Sequence, residues 1–381
     1  MGPIDGTDKR AKFPPVLRAL LREPRRILIV RLGAIGDVAR VLPMLNGLRR
    51  RFPEAEIDWA VQTKAADLLI DHPQITRLWV IPFVRWLEAL SPEAWTLRRK
   101  MRKRDYDLVL DFQGMMKGAI WALAAGRRAV RVGWGPGHTR NLTWLWCHAL
   151  RYPPGKAVNR HLRHRVLVNW LGVPDVPGIP PRLDRVDTAV VNRFLDGLDA
   201  SRPWILAYPG SSGKGSHKRW DPDRFRAALT EIRERTGGSV LVGWGPAEKG
   251  EARELAAALD APAIPPTTIR QLVHVLARCD LFVGMDTGPM HLAGLVGTPV
   301  VAVFGRSDPR VHGPAAHLPG LVVAGPGACH WPTRKRTGLE PFFEPEPGAV
   351  VQAVMEVLER SAGPPSADRP GPVRRGRPCG S

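Results

Sequence analysis

Runs of aliphatic and β-branched residues alternate with stretches of helical period twice along this 381-residue chain, and this alternation constrains the fold more than any other feature. In the first half the predicted strands are 27–31, 56–61, 77–81, 107–111 and 129–133. The predicted helices are 38–52, with a kink or a late start at Pro43, 88–104 and 114–125. Strands that alternate with helices predict parallel sheets covered on both faces.

The alternation resumes after the proline-rich segment 172–187, which is typical of an interdomain linker. The predicted strands are "WILAYPG", "SVLVGWG", "LFVGM" and "PVVAVFG". The predicted helices start at Asp221-Pro222, cover 247–259 and 269–278, start near Gly288, and end with an amphipathic helix over 348–360. The pattern therefore predicts an α/β protein with two Rossmann-like, doubly wound domains facing a cleft, where ligands bind at the carboxyl ends of the strands.

These elements divide the chain into five expected segments. They are a basic arm over 1–24, a first domain over 25–180, a second domain over 181–346, a C-terminal helix over 347–361 and a disordered basic tail over 362–381. The four cysteines are far apart in sequence, which favours a reducing compartment over a disulfide framework. We see neither a signal peptide nor an apolar run of the roughly 20 residues that span a membrane, so we expect a soluble, cytoplasmic protein.

The net charge of +20 is concentrated in the first half of the chain. Residues 1–180 hold 31 Lys and Arg against 15 Asp and Glu, whereas residues 181–381 hold 25 against 21. Such a charge suits three candidate partners: nucleic acid, an anionic membrane and a phosphorylated lipid. No nucleic-acid-binding motif accompanies it, so we expect no nucleic-acid partner.

The stretch "ILIVRLGAIGDVARVLP" (27–43) ends a strand at a glycine-bracketed turn, and Asp37 follows. A third glycine and an acid at the end of the second strand are missing, as is a P-loop, which excludes a nicotinamide dehydrogenase and a P-loop hydrolase. Asp37 allows two interpretations, a helix N-cap or a general base at the edge of the cleft. One carboxylate oxygen can serve each purpose, so the two remain compatible.

The segment 279–305, "CDLFVGMDTGPMHLAGLVGTPVVAVFG", places a strand end at Asp286 and a helix start at Thr287-Gly288. Free amides and the helix dipole there suit a pyrophosphate, and Asp286 suits sugar hydroxyls. His291 is either packed one turn into the helix or functional. In "GWGPAEKGE", Glu248 is either a first-turn acid that complements the helix dipole or a ligand contact. Acid pairs at Asp105-Tyr-Asp107 and Asp221-Pro-Asp223 are better explained as structural than as metal ligands.

Five motifs carry a resemblance to a known family: "GDVARVLP", "DFQGMMKG", "HKRW", "GPAE" and "DTGPMHLAGLVGTPVVAVFG". Together they resemble the lipopolysaccharide heptosyltransferases of glycosyltransferase family 9 over about residues 25–360, and heptosyltransferase I more than II. The resemblance implies a GT-B fold, an inverting reaction, no metal and no cofactor. It implies an ADP-heptose donor and, as acceptor, the Kdo sugar of a lipid A precursor. A family 9 enzyme with another nucleotide sugar or acceptor is the alternative, and a catalytically inactive sugar-nucleotide sensor is a third possibility.

The matching positions imply a general base at Asp37 and a cation for the donor phosphates at Lys218. The other implied donor contacts are Ser211 and Ser212 as a hydroxyl pair, Glu248 on the adenosine ribose, Asp286 on the heptose, Thr287 and Gly288 on the pyrophosphate, and His291. After Gly-Asp, Ala39-Arg40 replaces the usual aliphatic-His pair.

The cationic segment 98–104, "RRKMRKR", follows Trp86 and Trp95. It is either a solvated helix face or a contact for an anionic acceptor and the membrane that carries it. On the second interpretation the acceptor-binding residues are Arg98, Arg99, Arg102 and Arg140, and the protein is peripheral on the cytoplasmic face of the inner membrane.

Overall fold

The protein is described by a computed structural model that covers residues 23–82, 88, 91–139, 141–153, 158–210, 218–305, 307–315, 320–324 and 345–362. Within these ranges two fully parallel sheets form, one in each half of the chain. The first sheet has the strand order β3-β2-β1-β4-β5-β6. Its strands are β1 (Arg26–Val30), β2 (Glu56–Gln62), β3 (Arg77–Ile81), β4 (Leu108–Asp111), β5 (Val130–Trp134) and β6 (Ala149–Arg151).

Helices connect these strands as in other doubly wound sheets. They are α1 (Ile35–Ala39), α2 (Leu42–Arg51), α3 (Thr63–Ala66), α4 (Pro92–Arg102), α5 (Met116–Ala124) and α6 (Arg160–Val166), with short 3₁₀ turns at Thr143–Trp146 and Asn169–Leu171. The helix expected over 38–52 is thus two helices, and Pro43 lies in the first turn of α2, where its missing N–H costs no hydrogen bond. The late start at Pro43 is confirmed.

The second sheet has the strand order β11-β10-β9-β7-β8. Its strands are β7 (Trp204–Tyr208), β8 (Ser239–Val242), β9 (Leu281–Met285), β10 (Val300–Phe304) and β11 (Gly320–Ala324). The helices of this half are α7 (Ala189–Asp196), α8 (Pro222–Thr236), α9 (Lys249–Ala258), α10 (Ile269–Arg278), α11 (Gly288–Leu295), α12 (Pro309–His312) and α13 (Pro347–Ala362). Asp221 accepts the amides of Asp223 and Arg224 at the start of α8, so the cap predicted there is confirmed.

Strand β1 of the first sheet and strand β9 of the second lie inside their sheets and are buried on both faces. This burial explains their continuous apolar sequence. On one face of the first sheet, Ile27 and Ile29 pack with α2 in a core that continues into the second domain. On the other face, Leu28 and Val30 pack with α4 and α5. The last helix, α13, buries Val350 and Val354 against the outer face of the second sheet. This division leaves α4 and α5 on the side of the first sheet that faces away from α2.

The two domains touch where α1 meets α11. A β-carbon on Gly36 would lie 2.8 Å from His291 Cδ2 and 3.2 Å from Gly288 Cα, so glycine permits this approach. Arg270 of the second domain also binds Asp67 of the first at 3.0 Å. Across the described ranges, no helix has both the length and the apolar character that crossing a bilayer requires.

Candidate active site

A cavity of about 540 Å³ lies between the domains, at the carboxyl edges of the two sheets. Loops that follow parallel strands meet at this edge, so side chains distant in sequence converge on it. The first domain contributes α1 and the start of α6. The second contributes the segments after β7, β8 and β9, together with the end of α12.

Asp37 lies in the first turn of α1, whose N-cap is Ala34. The interpretation of Asp37 as the N-cap is therefore wrong. Instead its carboxylate forms an ion pair with Arg31, accepts a hydrogen bond from Arg40 Nη1 at 2.9 Å, and lies 3.9 Å from Arg160 Nη1. Asp37 is thus a carboxylate surrounded by three guanidinium groups at the cavity wall.

These guanidinium groups set the protonation state of Asp37. Burial by itself raises the pKa of the carboxyl, but Arg31, Arg40 and Arg160 together outweigh burial and hold that pKa far below its usual range. Asp37 is consequently ionised at any physiological pH. It can accept a proton only from a group that becomes strongly acidic during a reaction.

Asp286 directly follows β9 and is only 5% exposed as a side chain. Lys218 Nζ donates to its Oδ2 at 2.5 Å. Burial opposes the charge on Asp286, but Lys218, His312 and Arg40 lower its pKa below the usual value. Burial lowers the pKa of His312 to about 4, so the ring is neutral near pH 7 and its 3.9 Å contact with Asp286 is not an ion pair there.

Arg40 contacts both halves of the cavity. Its Nη1 binds Asp37, its Nη2 donates to the His312 carbonyl at 2.8 Å, and the same nitrogen lies 4.0 Å from Asp286 Oδ1. The guanidinium is almost fully buried. A planar fork with several N–H groups is suited to hold two such partners at once.

The start of α11 is open toward the cavity. Thr287 is its N-cap, but the Thr287 hydroxyl donates to the Met285 carbonyl at 3.3 Å and does not cap the helix. Gly288 adds no side chain and lines the cavity, whereas Pro289, the next residue of this eight-residue helix, has no N–H to offer an anion. A helix N-terminus of this kind attracts anions through its amides and its dipole.

Glu248 is the residue just before α9 and is buried. Its Oε2 accepts the Gly245 amide at 2.8 Å and closes the loop between β8 and α9. Gly210 and Gly245 pack directly against its carboxylate, where a β-carbon would lie 2.9 and 2.5 Å from Oε2. Burial, and then the charge of Glu248, raises the pKa of the neighbouring Tyr208. Glu248 is therefore a fixed, enclosed carboxylate and not a first-turn acid.

His291 lies in α11 against Gly36 and is buried. Burial lowers its pKa well below the usual value, so the ring is neutral. Its Nε2 is buried and has no hydrogen-bond partner in the part of the chain that the structure describes. His291 both packs the domain interface and lines the cavity, so the two interpretations from sequence are compatible.

More than half of the sequence matches one protein family. The family model described as glycosyltransferase family 9 (heptosyltransferase) matches residues 94–339. The chain belongs to this family. This family 9 protein is 27% identical over 316 residues to lipopolysaccharide heptosyltransferase 1 of Pseudomonas aeruginosa. The aligned region covers 76% of this chain and 81% of that protein.

Solved structures of family 9 proteins share the fold of this glycosyltransferase. A family 9 glycosyl transferase from Veillonella parvula superposes with a TM-score of 0.71 at 19% identity, over 89% of this chain and 98% of that chain. The Escherichia coli heptosyltransferase WaaC with ADP superposes with a TM-score of 0.66 at 23% identity, over 88% and 100%. Two parallel-sheet domains in this arrangement form the GT-B fold, so the predicted fold class is confirmed.

Most of the site residues expected from sequence lie together in this family 9 glycosyltransferase. The cavity is lined by Asp37, Lys218, Glu248, Asp286, Thr287, Gly288 and His291. Ser211, Ser212 and Arg140 lie outside the described residues. Arg98, Arg99 and Arg102 are on α4, and none of the described residues along the cavity wall comes from that helix.

Sequence reasoning missed Arg31, Arg160 and His312. Arg31 directly follows β1, and its Nη1 donates to the Phe112 carbonyl at 2.8 Å. Because polar residues at the ends of parallel strands line the cleft, its position in the sequence could have identified it. Arg160 starts a helix that was not predicted, and no local pattern marks it. Among the described residues, no three His, Cys, Asp or Glu side chains come close enough to hold a metal ion.

Proposed function

We propose that this family 9 glycosyltransferase transfers heptose from ADP-L-glycero-D-manno-heptose to the Kdo sugar of a lipid A precursor, in the inner core of lipopolysaccharide. The proposal includes inversion at the anomeric carbon and independence from metal ions. The observation that carries it is one cavity with a carboxylate, Asp37, on the first domain and a carboxylate–lysine pair, Asp286 and Lys218, on the second. The likeness to lipopolysaccharide heptosyltransferase 1 supports the choice of sugar and acceptor.

In this mechanism Asp37 is the general base. The acceptor hydroxyl oxygen attacks the anomeric carbon, its proton passes to a carboxylate oxygen of Asp37, and the bond from that carbon to the phosphate oxygen breaks. The electron pair leaves with ADP on the opposite face, which inverts the configuration. The low pKa of Asp37 is compatible with this role, because the hydroxyl becomes strongly acidic once its oxygen bonds to an oxocarbenium-like carbon.

The departing diphosphate needs a positive environment, and two groups supply it. Lys218 would exchange its bond with Asp286 for a bond with a phosphate oxygen, while an amide N–H at the start of α11 donates to another phosphate oxygen. Asp286, once released, is free to accept sugar hydroxyls. This exchange links the presence of the diphosphate to the binding of the heptose.

Glu248 is proposed to hold the adenosine ribose. It is buried beside Trp244 and Tyr208 in the same cavity, and a fixed carboxylate is a good acceptor for a pair of hydroxyls. The lipid nature of the proposed acceptor implies a peripheral position on the cytoplasmic face of the inner membrane.

The test is the turnover of the Asp37→Asn variant with ADP-heptose and a Kdo-containing lipid A precursor, with the product identified by mass. Loss of a general base typically lowers the rate by about 10²–10⁴-fold. Donor affinity should stay close to native, because Asp37 lies on the other domain. Asp199→Asn, which removes an exposed carboxylate, is the matched control and should keep full activity.

Three results would contradict parts of the proposal. Near-native turnover of Asp37→Asn removes the general base. A product that retains the donor configuration removes inversion, and activity that is lost to a chelator and restored by Mg²⁺ removes metal independence. Product formed only with another nucleotide sugar or another acceptor would instead support a different specificity within the family.

A further inference from the structure

A second large concave surface, which shares no described lining residue with the cavity, lies between α4 and α5 on the outer side of the first sheet. It encloses about 930 Å³. We call it the basic groove and define it by Trp95, Arg98, Arg99, Arg102, Lys103 and Leu123. It belongs to the face of the sheet whose core includes Leu28 and Val30, opposite to the face that meets the second domain.

The four cations of the basic groove have no acidic partner in the part of the chain that the structure describes. None of their side chains forms an ion pair with any residue that the structure describes. The next cation along the chain is different, because Arg104 binds Glu56 at 2.8 Å and Asp58 at 3.2 Å. The groove therefore presents free positive charge, whereas Arg104 has a structural role.

Apolar side chains lie among these charges. Trp95 is 58% exposed and Leu123 is 36% exposed, and the Arg99 guanidinium lies 5.7 Å from the centre of the Trp95 ring. A large exposed aromatic side chain beside cations with long aliphatic stems is typical of helices that lie in a membrane interface. A site for single-stranded nucleic acid stacks successive bases on several aromatic rings. Among the described residues, the basic groove offers one ring and an aliphatic wall, which favours lipid.

The direction of α4 relates this surface to the active site. Because α4 connects two parallel strands, it runs back along the sheet, and Trp95 near its start lies closer to the cleft edge than Arg102 does. A planar surface that contacts the basic groove would therefore extend toward the cleft edge of the first domain.

We propose that the basic groove docks the protein on an anionic phospholipid membrane, with its cations on headgroup phosphates and with Trp95 and Leu123 in the boundary between headgroups and acyl chains. This inference goes beyond the proposed reaction, because it assigns membrane contact to a surface outside the catalytic cavity. Of the two contacts expected from sequence for Arg98, Arg99 and Arg102, it keeps the membrane and leaves out the acceptor.

The test is co-sedimentation of the full chain with vesicles of phosphatidylcholine alone or mixed with phosphatidylglycerol, without donor or acceptor. Binding is expected only to the anionic vesicles and is expected to be lost near 1 M salt, where the Debye length is about 3 Å. Changing Arg98, Arg99, Arg102 and Lys103 together to Gln should lower the partition coefficient by about tenfold or more. The control changes four exposed arginines of the second half, Arg193, Arg226, Arg235 and Arg253, to Gln and removes the same charge.

Trp95→Ala tests the apolar part of the contact. It should weaken vesicle binding while the dependence on salt stays the same, because no charge is removed. Thermal unfolding of each variant shows whether it is folded, and these substitutions on exposed or half-buried positions should leave the unfolding temperature close to native.

Several outcomes would overturn the proposal. An equal loss in the groove and control quadruple variants would mean that net charge, and not this surface, attracts the vesicles. Tighter binding of a single-stranded oligonucleotide than of anionic vesicles at the same salt, lost in the groove variant, would assign the groove to nucleic acid. Because no sugar is present, the outcome is independent of whether the proposed transfer reaction is correct.

Discussion

The Arg40 guanidinium joins Asp37 of the first domain to the His312 carbonyl of the second, at 2.9 and 2.8 Å. It thereby connects the proposed general base to the segment beside Asp286. Arg40 occupies the position at which the resemblance to the heptosyltransferases predicts a histidine. Because the contact bridges two domains, its geometry affects both the pKa of Asp37 and the separation of the two halves of the cavity.

Replacing Arg40 by Ala should lower kcat/KM by about tenfold to a hundredfold, since small displacements of reacting groups have effects of this size. The charge of Arg40 is one cause of the low pKa of Asp37. In the native protein this pKa lies too low to give the kcat/KM profile an acidic limb, and the loss of Arg40 should raise it, so that an acidic limb from Asp37 enters the profile of the variant. A purely structural role would lower activity without moving the profile.

Arg40→Lys is the matched control for charge. It keeps the positive charge, but a single ammonium lacks the fork that reaches two partners. We expect its pH profile to stay close to native while its kcat falls. A profile that moves equally in both variants would contradict the electrostatic argument.

Lys218 and Asp286 should have separable effects on ligand binding, measured by titration calorimetry with ADP and with ADP-heptose. Lys218→Ala should weaken both ligands by about tenfold, because a charge-assisted hydrogen bond to phosphate contributes about 1.5–3 kcal/mol. Asp286→Asn should weaken ADP-heptose but not ADP, since it removes a sugar contact and releases Lys218 from its 2.5 Å bond. Equal weakening of both ligands by Asp286→Asn would contradict its proposed role.

The sequence predicted the fold well wherever apolar runs are long and buried on both faces. All five strands expected in the first half are present, because a parallel strand inside a doubly wound sheet needs a continuous apolar run. The three-residue strand β6 and the edge strand β11 were missed. β6 is too short to leave such a run, whereas β11 contains the apolar run 321–324 but is not buried on both faces.

The site was predictable only in part, for a different reason. Asp37, Glu248 and Asp286 follow strands and are marked by glycine-rich turns, so local patterns locate them. The three guanidinium groups around Asp37 come from the residue after β1, the residue after α1 and the first residue of α6, which only tertiary structure brings together. The basic groove is also only partly predictable from sequence. The sequence shows its cations, but only the tertiary structure shows that they lie outside the cavity.

Asp111 should give the stability of the protein a measurable dependence on pH. Burial raises the pKa of its carboxyl to about 6, above the usual value of 3.8. The folded state then binds more protons than the unfolded state between these two values, so the free energy of unfolding falls as pH rises from about 4 to 6 and is level above that range. A shift of about two units corresponds to about 3 kcal/mol.

Urea unfolding at several pH values between 4 and 7.5 measures this effect. Asp111→Asn keeps a carbonyl oxygen for the amides of Gln113 and Gly114, which Asp111 Oδ1 accepts at 2.8 and 3.1 Å, but it cannot titrate. The fall in stability between pH 4 and 6 should therefore be smaller in Asp111→Asn than in the native protein. Identical pH profiles would contradict the raised pKa.

Gly36 should be the least replaceable glycine at the domain interface. A methyl group there would lie 2.8 Å from His291 Cδ2 and 3.2 Å from the Gly288 backbone, so Gly36→Ala must push α1 away from α11. We expect a loss of about 1–3 kcal/mol in the free energy of unfolding, as for other overpacked sites, together with lower activity because Asp37 moves with α1.

Gly250→Ala is the control. Its β-carbon would meet no atom within 4 Å, and in α9 the substitution should be neutral or stabilising by about 0.5–1 kcal/mol. If urea unfolding and turnover show equal effects of the two substitutions, the close approach of α1 and α11 does not restrict which side chain can occupy position 36.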